Sequence, residues 1–126
     1  MVKLYCLDIS LFENEFDNIL PALSPKRIEK INCLVKKEDK LRSMGSELIL
    51  KYAIRDENLN CEFNLLQNEY GKPHLAGADH FYFNLSHSGR FVVCATANQP
   101  VGVDIEKICD VNLKIADRHF SPAEKQ

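Results

Sequence analysis

The sequence predicts an α+β domain in which an antiparallel sheet packs against one long helix. Three observations predict it. Residues 81–86, 91–97 and 101–105 read as three strands, the last with apolar Val101, Val103 and Ile105 alternating with Gly102 and Asp104, and the links Ser88-Gly89-Arg90 and Asn98-Gln99-Pro100 are short enough for antiparallel hairpins. Between Lys37 and Asp56, Leu41, Met44, Leu48, Ile49 and Tyr52 recur on one helical face, with Lys40, Arg42, Ser43, Glu47 and Lys51 mostly off it. A chain of 126 residues with 45% hydrophobic content has enough apolar material for one modest core and little for a second.

The elements follow in order. Residues 2–9 read as a first strand, and 11–23 as a variable connection with one short helical piece. Ser24 then offers an N-cap and Pro25 a first helical position, where a missing N–H costs nothing. Ile28, Ile31, Leu34 and Val35 carry the helical period. The main amphipathic helix comes next and is expected to pack on the sheet. Residues 62–67 suggest a short strand, and Asn68-Glu69-Tyr70-Gly71-Lys72-Pro73 has strong turn chemistry, so a ligand there would meet backbone. The three later strand segments complete the sheet, and 112–119 return to a helical period. Low-complexity segments and internal repeats are absent.

A net charge of −2 offers no general attraction to nucleic acid. The basic residues are bunched between Lys26 and Arg55, which suits a polyphosphate better than a duplex. With no charged and apolar leader and no run of about eighteen apolar residues, the chain is expected to be soluble and cytoplasmic, acting without nucleic acid or membrane. Cys6, Cys33, Cys61, Cys94 and Cys109 are odd in number and widely spaced. They are expected to be reduced and mostly buried, rather than zinc ligands or disulfides; Cys94 reads as a small core hydrophobe.

The candidate chemistry lies in Phe83-Asn84-Leu85-Ser86-His87-Ser88-Gly89 and Val101-Gly102-Val103-Asp104-Ile105-Glu106. On a strand, Asp104 and Glu106 share a face about 6 to 7 Å apart at Cα, close enough for both to reach one hard divalent cation, and Gly102 leaves room for a ligand. Magnesium suits an oxygen-only pair completed by a bound diphosphate. The bland alternative is an exposed polar strand face. On a regular strand Ser86 and His87 would point to opposite faces. This disfavours a Ser-His nucleophile pair and favours a loop in which both meet a phosphate; the alternative is a capping or turn histidine. Spacing alone would leave Arg27, Lys30 and Arg42 as a solvated helix face.

Taken in order, Gly71-Lys72-Pro73, Phe83-Asn84-Leu85-Ser86-His87-Ser88 and Val101-Gly102-Val103-Asp104-Ile105-Glu106-Lys107 resemble the signature of 4′-phosphopantetheinyl transferases of the surfactin-synthetase-activating type. Ser24-Pro25-Lys26-Arg27-Ile28-Glu29-Lys30 and Lys37-Glu38-Asp39-Lys40-Leu41-Arg42-Ser43 are similar to the family's preceding basic helices. The resemblance implies one lobe of a two-lobed fold, with coenzyme A and Mg2+ in the cleft between lobes. Residues 1–108 would be the N-terminal lobe, and 109–126 a linker and the truncated start of the second. Phe120-Ser121-Pro122-Ala123-Glu124-Lys125-Gln126 looks like that lobe's opening. The sequence contains no tryptophan, so the family's Trp-x-x-Lys-Glu motif is missing, and with it a third metal-binding carboxylate and a coenzyme-binding lysine.

The same resemblance implies individual roles. Arg27, Lys30 and Arg42 fall where the family places cations around the 3′-phosphate; Arg27 aligns with a family lysine, while Lys26 departs from the pattern. Lys72 falls beside the adenine and phosphates, and Ser86 and His87 on positions that bind nucleotide and phosphates. Asp104 and Glu106 would be the catalytic metal ligands. The implied reaction transfers 4′-phosphopantetheine from coenzyme A to a serine of an acyl or peptidyl carrier protein, with no residue of this chain assigned as the base. A lobe that normally buries an apolar face against its sister is expected to associate with a copy or partner. The alternative function is a non-catalytic coenzyme A or nucleotide-binding module that acts only with a partner lobe.

Overall fold

Strand β1 (Lys3–Asp8) pairs antiparallel with a strand far along the chain, β5 (Phe91–Ala97), from Lys3 opposite Thr96 to Asp8 opposite Phe91. β5 pairs on its other side with β4 (Tyr82–Ser88), from Tyr82 opposite Ala97 to Ser88 opposite Phe91, giving the order β1-β5-β4. The structure is a computed structural model and describes residues 2–104. Gly89 opens the two-residue β4–β5 turn at φ 58°, a left-handed conformation that glycine adopts without strain and that suits the first central position of a tight hairpin.

Between β1 and β4 lie short helical turns, α1 (Phe16–Ile19), α2 (Pro25–Asn32) and α3 (Lys37–Asp56). Helix α3 lies across one face of the sheet, where Val92 and Cys94 of β5 and Phe83 of β4 join Leu41, Met44, Ile49 and Leu50 in the main core. Each large apolar side chain fully buried there contributes about 1.5–3 kcal/mol. Gly45 allows the close approach: a Cβ there would stand 3.2 Å from Cγ2 of Val92. This is the expected α+β arrangement, and α3 has the expected bounds.

Its burial differs from a one-sided amphipathic helix. Ser43, Ser46 and Glu47 are buried, although the helical period puts Ser43 and Glu47 off the core face. Helix α2 packs against α3, so the middle of α3 is covered from two sides. Tyr52, expected inward, is 61% exposed; its ring meets that of Tyr5 edge-on, at 5.9 Å between centroids. Helix α2 starts at Pro25 as expected and ends at Asn32, leaving Leu34 and Val35 outside it; Val35 is 93% exposed. Ser24 occupies the N-cap position without a side-chain capping bond; its hydroxyl donates to Glu47.

A second sheet is made of β2 (Leu65–Gln67) and β3 (Pro73–Leu75). β2 is shorter than the expected 62–67, and β3 begins at Pro73, the last residue of the expected turn, where no strand is expected. The intervening turn is as expected, with Asn68 Oδ1 accepting the N–H groups of Tyr70 and Lys72 at 2.8 and 3.0 Å.

The expected third strand of the hairpin series is not one within its described part. Residues 101–104 form no ladder; Val101 and Val103 instead pack on Val93, Ala95 and Ala97, on the sheet face opposite α3. The apolar alternation was therefore correct and the pairing was not: the segment crosses a sheet face instead of extending an edge. Ile105, Glu106, the helical period at 112–119 and the boundary at 108/109 lie outside the described residues.

The cysteines also differ from expectation. Cys94 is buried, Cys61 is half-buried, and Cys6 and Cys33 are exposed; all four are free, and Cys109 lies outside the described residues. Cys6 sits on the outermost strand and Cys33 at the C-cap of α2, so neither has a second layer over it. Among the described residues, no helix is long and apolar enough to cross a membrane.

Candidate functional site

Strand β4 organises the site because its two faces carry different chemistry. Ser86 and His87 lie on this regular strand, opposite Val93 and Val92 respectively, not in the expected loop. Their side chains therefore leave on opposite faces, which excludes a Ser-His nucleophile pair as the sequence suggested.

On the α3 face, His87 feels the charges of Arg42 and Asp39 from α3 and of Lys30 from α2. Partial burial, then Arg42 and Lys30, push its pKa below the usual histidine value, with Asp39 pulling the other way. The imidazole is thus predominantly neutral near pH 7, at the edge of a cationic patch built by two helices.

Arg42 is held in place. Nη1 donates to the carbonyl of Gly89 at 2.7 Å, tying α3 to the β4–β5 turn, and Nη2 pairs with Asp39 one turn earlier. The side chain is 15% exposed, so it is a fixed donor fork rather than a solvated surface charge. Lys30 is exposed in the last turn of α2.

Arg27 is committed internally. Its Nη1 donates to Ser43 Oγ at 3.1 Å, and its Nε lies 3.8 Å from Glu47 Oε1. Glu47, only 1% exposed, also accepts from the Ser24 amide at 2.8 Å, the Ser24 hydroxyl at 2.7 Å and Lys51 Nζ at 2.9 Å. Burial pulls the Glu47 pKa upward, but the hydrogen bonds from Lys51 and Ser24 outweigh it and hold the carboxyl below its usual range. This network fixes the start of α2 against α3. Nothing in the sequence pattern marks Glu47 as buried.

On the opposite face, Ser86 Oγ donates to Asp104 Oδ1 at 3.3 Å. Asn84, two residues earlier on the same face, accepts the Val103 N–H on Oδ1 at 3.0 Å. The expected carboxylate pair is represented by Asp104 alone, since Glu106 lies outside the described residues. Among those residues no three His, Cys, Asp or Glu side chains gather to hold a metal ion. Asp104 is exposed, and its oxygen donors, with the neighbouring hydroxyl, are of the type a hard cation takes.

Lys72 lies apart from both clusters. It lines a groove of about 630 Å3 with His74, Asp79, His80, Tyr82 and Pro100, among others. None of Arg27, Lys30, Arg42, Ser86, His87 or Asp104 lines that groove. The structure thus brings together Lys30, Arg42 and His87, and separately Ser86 and Asp104, while Arg27 serves the helix interface. Asn84, which the sequence does not single out, lies on the same face as Ser86 by the strand period of two.

Comparison with known proteins gives the same assignment as the motifs. Residues 11–99 match the family model described as 4′-phosphopantetheinyl transferase, N-terminal. The chain is 36% identical over 120 residues to 4′-phosphopantetheinyl transferase Sfp of Bacillus subtilis (strain 168), covering 94% of this chain and 54% of that protein. It is 45% identical over 93 residues to 4′-phosphopantetheinyl transferase gsp of Aneurinibacillus migulanus, covering 71% and 38%. It is also 33% identical over 130 residues to psf-1 of Bacillus pumilus, covering 99% and 54%. The chain thus spans about half the length of these relatives or less, and the match lies in the N-terminal family region. With the α+β lobe, the ordered motifs and the two-faced β4 strand, these matches establish that the chain belongs to the 4′-phosphopantetheinyl transferase family, as its N-terminal part.

Proposed function

We propose that this chain forms the coenzyme-binding half of a cytoplasmic enzyme that transfers 4′-phosphopantetheine from coenzyme A to a serine of an acyl or peptidyl carrier protein. The observation that carries the reading is the placement of Lys30, Arg42 and His87 beside one face of β4 while Ser86 and Asp104 meet on the other. Lys30 and the clamped Arg42 bind phosphate oxygens of the coenzyme, and His87 accepts a proton to become a further donor as the anion arrives. Lys72 binds from the β2–β3 turn. Arg27 acts by holding α2 in register.

Ser86 orients the Asp104 carboxylate. Asp104, with Glu106, holds Mg2+, which when bound supplies charge neutralisation at the diphosphate and stabilises the leaving adenosine 3′,5′-bisphosphate. The sister half of the cleft comes from the rest of a longer protein or from an associating copy.

Calorimetric titration tests the binding part. Lys30→Ala should weaken coenzyme A at least about tenfold while changing 3′-dephospho-coenzyme A by less than about twofold, an ion-pair loss confined to one phosphate. Equal losses for both ligands would sink the assignment of Lys30. Mg2+-dependent transfer of labelled pantetheine to an apo carrier protein, abolished in Asp104→Ala, tests the chemistry. Coenzyme binding without transfer would mean that this half holds the nucleotide and the other supplies the reaction.

A further inference from the structure

The segment leading to Asp104 has unusual support. Residues 101–104 form no backbone ladder with a neighbouring strand, and Val101 and Val103 are buried on the sheet face formed by Val93, Ala95 and Ala97. A chain laid across a sheet face has lost water from its amides without gaining ladder partners, so those amides need side-chain acceptors. Val103 N–H finds one in Asn84 Oδ1 at 3.0 Å. Because an amide N–H can only donate, the Asn84 atom facing it must be the carbonyl oxygen.

Two adjacent positions on one face of β4 therefore hold two consecutive residues of the crossing segment: Asn84 holds the Val103 backbone and Ser86 meets the Asp104 side chain. The apolar contacts of Val101 and Val103 fix the height of the segment above the sheet, but apolar packing is not directional. The Asn84 bond sets the register along β4, and with it the point from which the Asp104 side chain leaves.

We infer that Asn84 is a positioning residue: by accepting the Val103 N–H it aims the Asp104 carboxylate at the divalent cation bound with the diphosphate. This rests on the metal role proposed above for Asp104. Asn84 itself does not touch the ion. Groups of this kind that orient a metal-binding side chain are worth about 10- to 100-fold in metal affinity.

The test uses the full chain with Mn2+ as the probe ion and coenzyme A present. Bound Mn2+ is read by electron paramagnetic resonance, and exchange of the Val103 amide hydrogen by NMR. Asn84→Ala should weaken Mn2+ about tenfold or more and lose Val103 protection, while metal-free coenzyme A affinity stays within about twofold, since Lys30, Arg42 and His87 occupy the other face of β4. Asn84→Asp keeps an acceptor and should keep Val103 protected with no loss of Mn2+ affinity; it carries the test if the alanine variant does not fold. Asp104-dependent Mn2+ binding that Asn84→Ala leaves unchanged, or loss of both signals in folded Asn84→Asp, overturns the positioning role and spares the metal role. Mn2+ binding equal in wild type and Asp104→Ala overturns both.

Discussion

Replacing Glu47 is the sharpest test of how α2 is held on α3. The carboxylate is 1% exposed and takes hydrogen bonds from the Ser24 amide, the Ser24 hydroxyl and Lys51 while facing Arg27. Glu47→Ala leaves the Ser24 N–H without its acceptor and Arg27, 15% exposed, without its counter-charge. Removing one partner of a buried ion pair costs about 3–5 kcal/mol. Lys51 is 37% exposed and regains water on release, so its share is small. A loss of about 3 kcal/mol is expected, which for a domain of this size lowers Tm by about 10–15 °C.

Urea unfolding followed by circular dichroism measures the loss, with an unchanged m-value showing that stability and not compactness has moved. Glu47→Gln retains the shape and one acceptor oxygen, and its loss should fall between wild type and alanine. The folded-state pKa of Glu47 is depressed, so its contribution is complete above the unfolded carboxylate value of about 4.3 and disappears as pH falls through the folded value. The gap between wild type and Glu47→Gln should therefore close in acid. A Glu47→Ala protein within about 0.5 kcal/mol of wild type at pH 7, the range of an ordinary surface change, would refute this account of the network.

Further outcomes follow from other parts of the fold. His87 has a depressed pKa in the free protein, and a bound phosphate raises it. Coenzyme A affinity should thus fall with rising pH by at most about tenfold per unit, one proton's worth, between the free and bound values, and His87→Gln should flatten the profile. The same depression acts oppositely on folding, since stability is lost as pH falls below the unfolded histidine value, so melting and binding titrations separate the two effects. Gly45→Val places branched methyls against Val92, where even a Cβ would lie at 3.2 Å; a loss of about 2 kcal/mol from overpacking is expected by urea unfolding, and a neutral result would mean that α3 can lift from β5. Burial, with Glu57 nearby, pushes the Cys94 thiol up to about 12, so a thiol reagent at pH 8 should label exposed Cys33 rapidly and Cys94 only on unfolding, as mass spectrometry of peptides would show.

The parts of the fold legible in the sequence were those with a repeated local pattern. The β-branched and apolar run of Phe91 to Ala97, bounded by turn residues, and the helical period of Lys37 to Asp56 are each long enough to fix element type, and the matching bounds of α3 follow. β3 was not legible because three residues beginning with Pro73 carry too little pattern to separate a strand from a loop. The burial of Glu47 was hidden for a different reason: a helical period identifies one covered face, whereas α3 has the sheet on one side and α2 on the other. In the site, Lys30 and Arg42 look like ordinary surface charges until α2, α3 and β4 bring them to His87, and the family resemblance alone singled them out. Arg27 has an interface role that the resemblance did not imply, since its guanidinium is engaged by Glu47 and Ser43. The role of Asn84 depends on a segment that crosses the sheet instead of joining it, which alternation cannot distinguish.

The order β1-β5-β4 places the last described strand in the centre of the sheet and joins Lys3 to Thr96. During synthesis β1 emerges first, yet it has no strand to pair with until nearly the whole lobe has left the ribosome. Helices α2 and α3 and the β4–β5 hairpin close over short spans and can form early, whereas the β1–β5 ladder carries the largest chain-closure cost and completes the lobe. Until then the Leu4 and Leu7 side chains and the free strand edges of β1 and β5 are open to other nascent chains. Slowing translation after residue 97 should therefore raise the yield of soluble lobe more than slowing it before β5 is made.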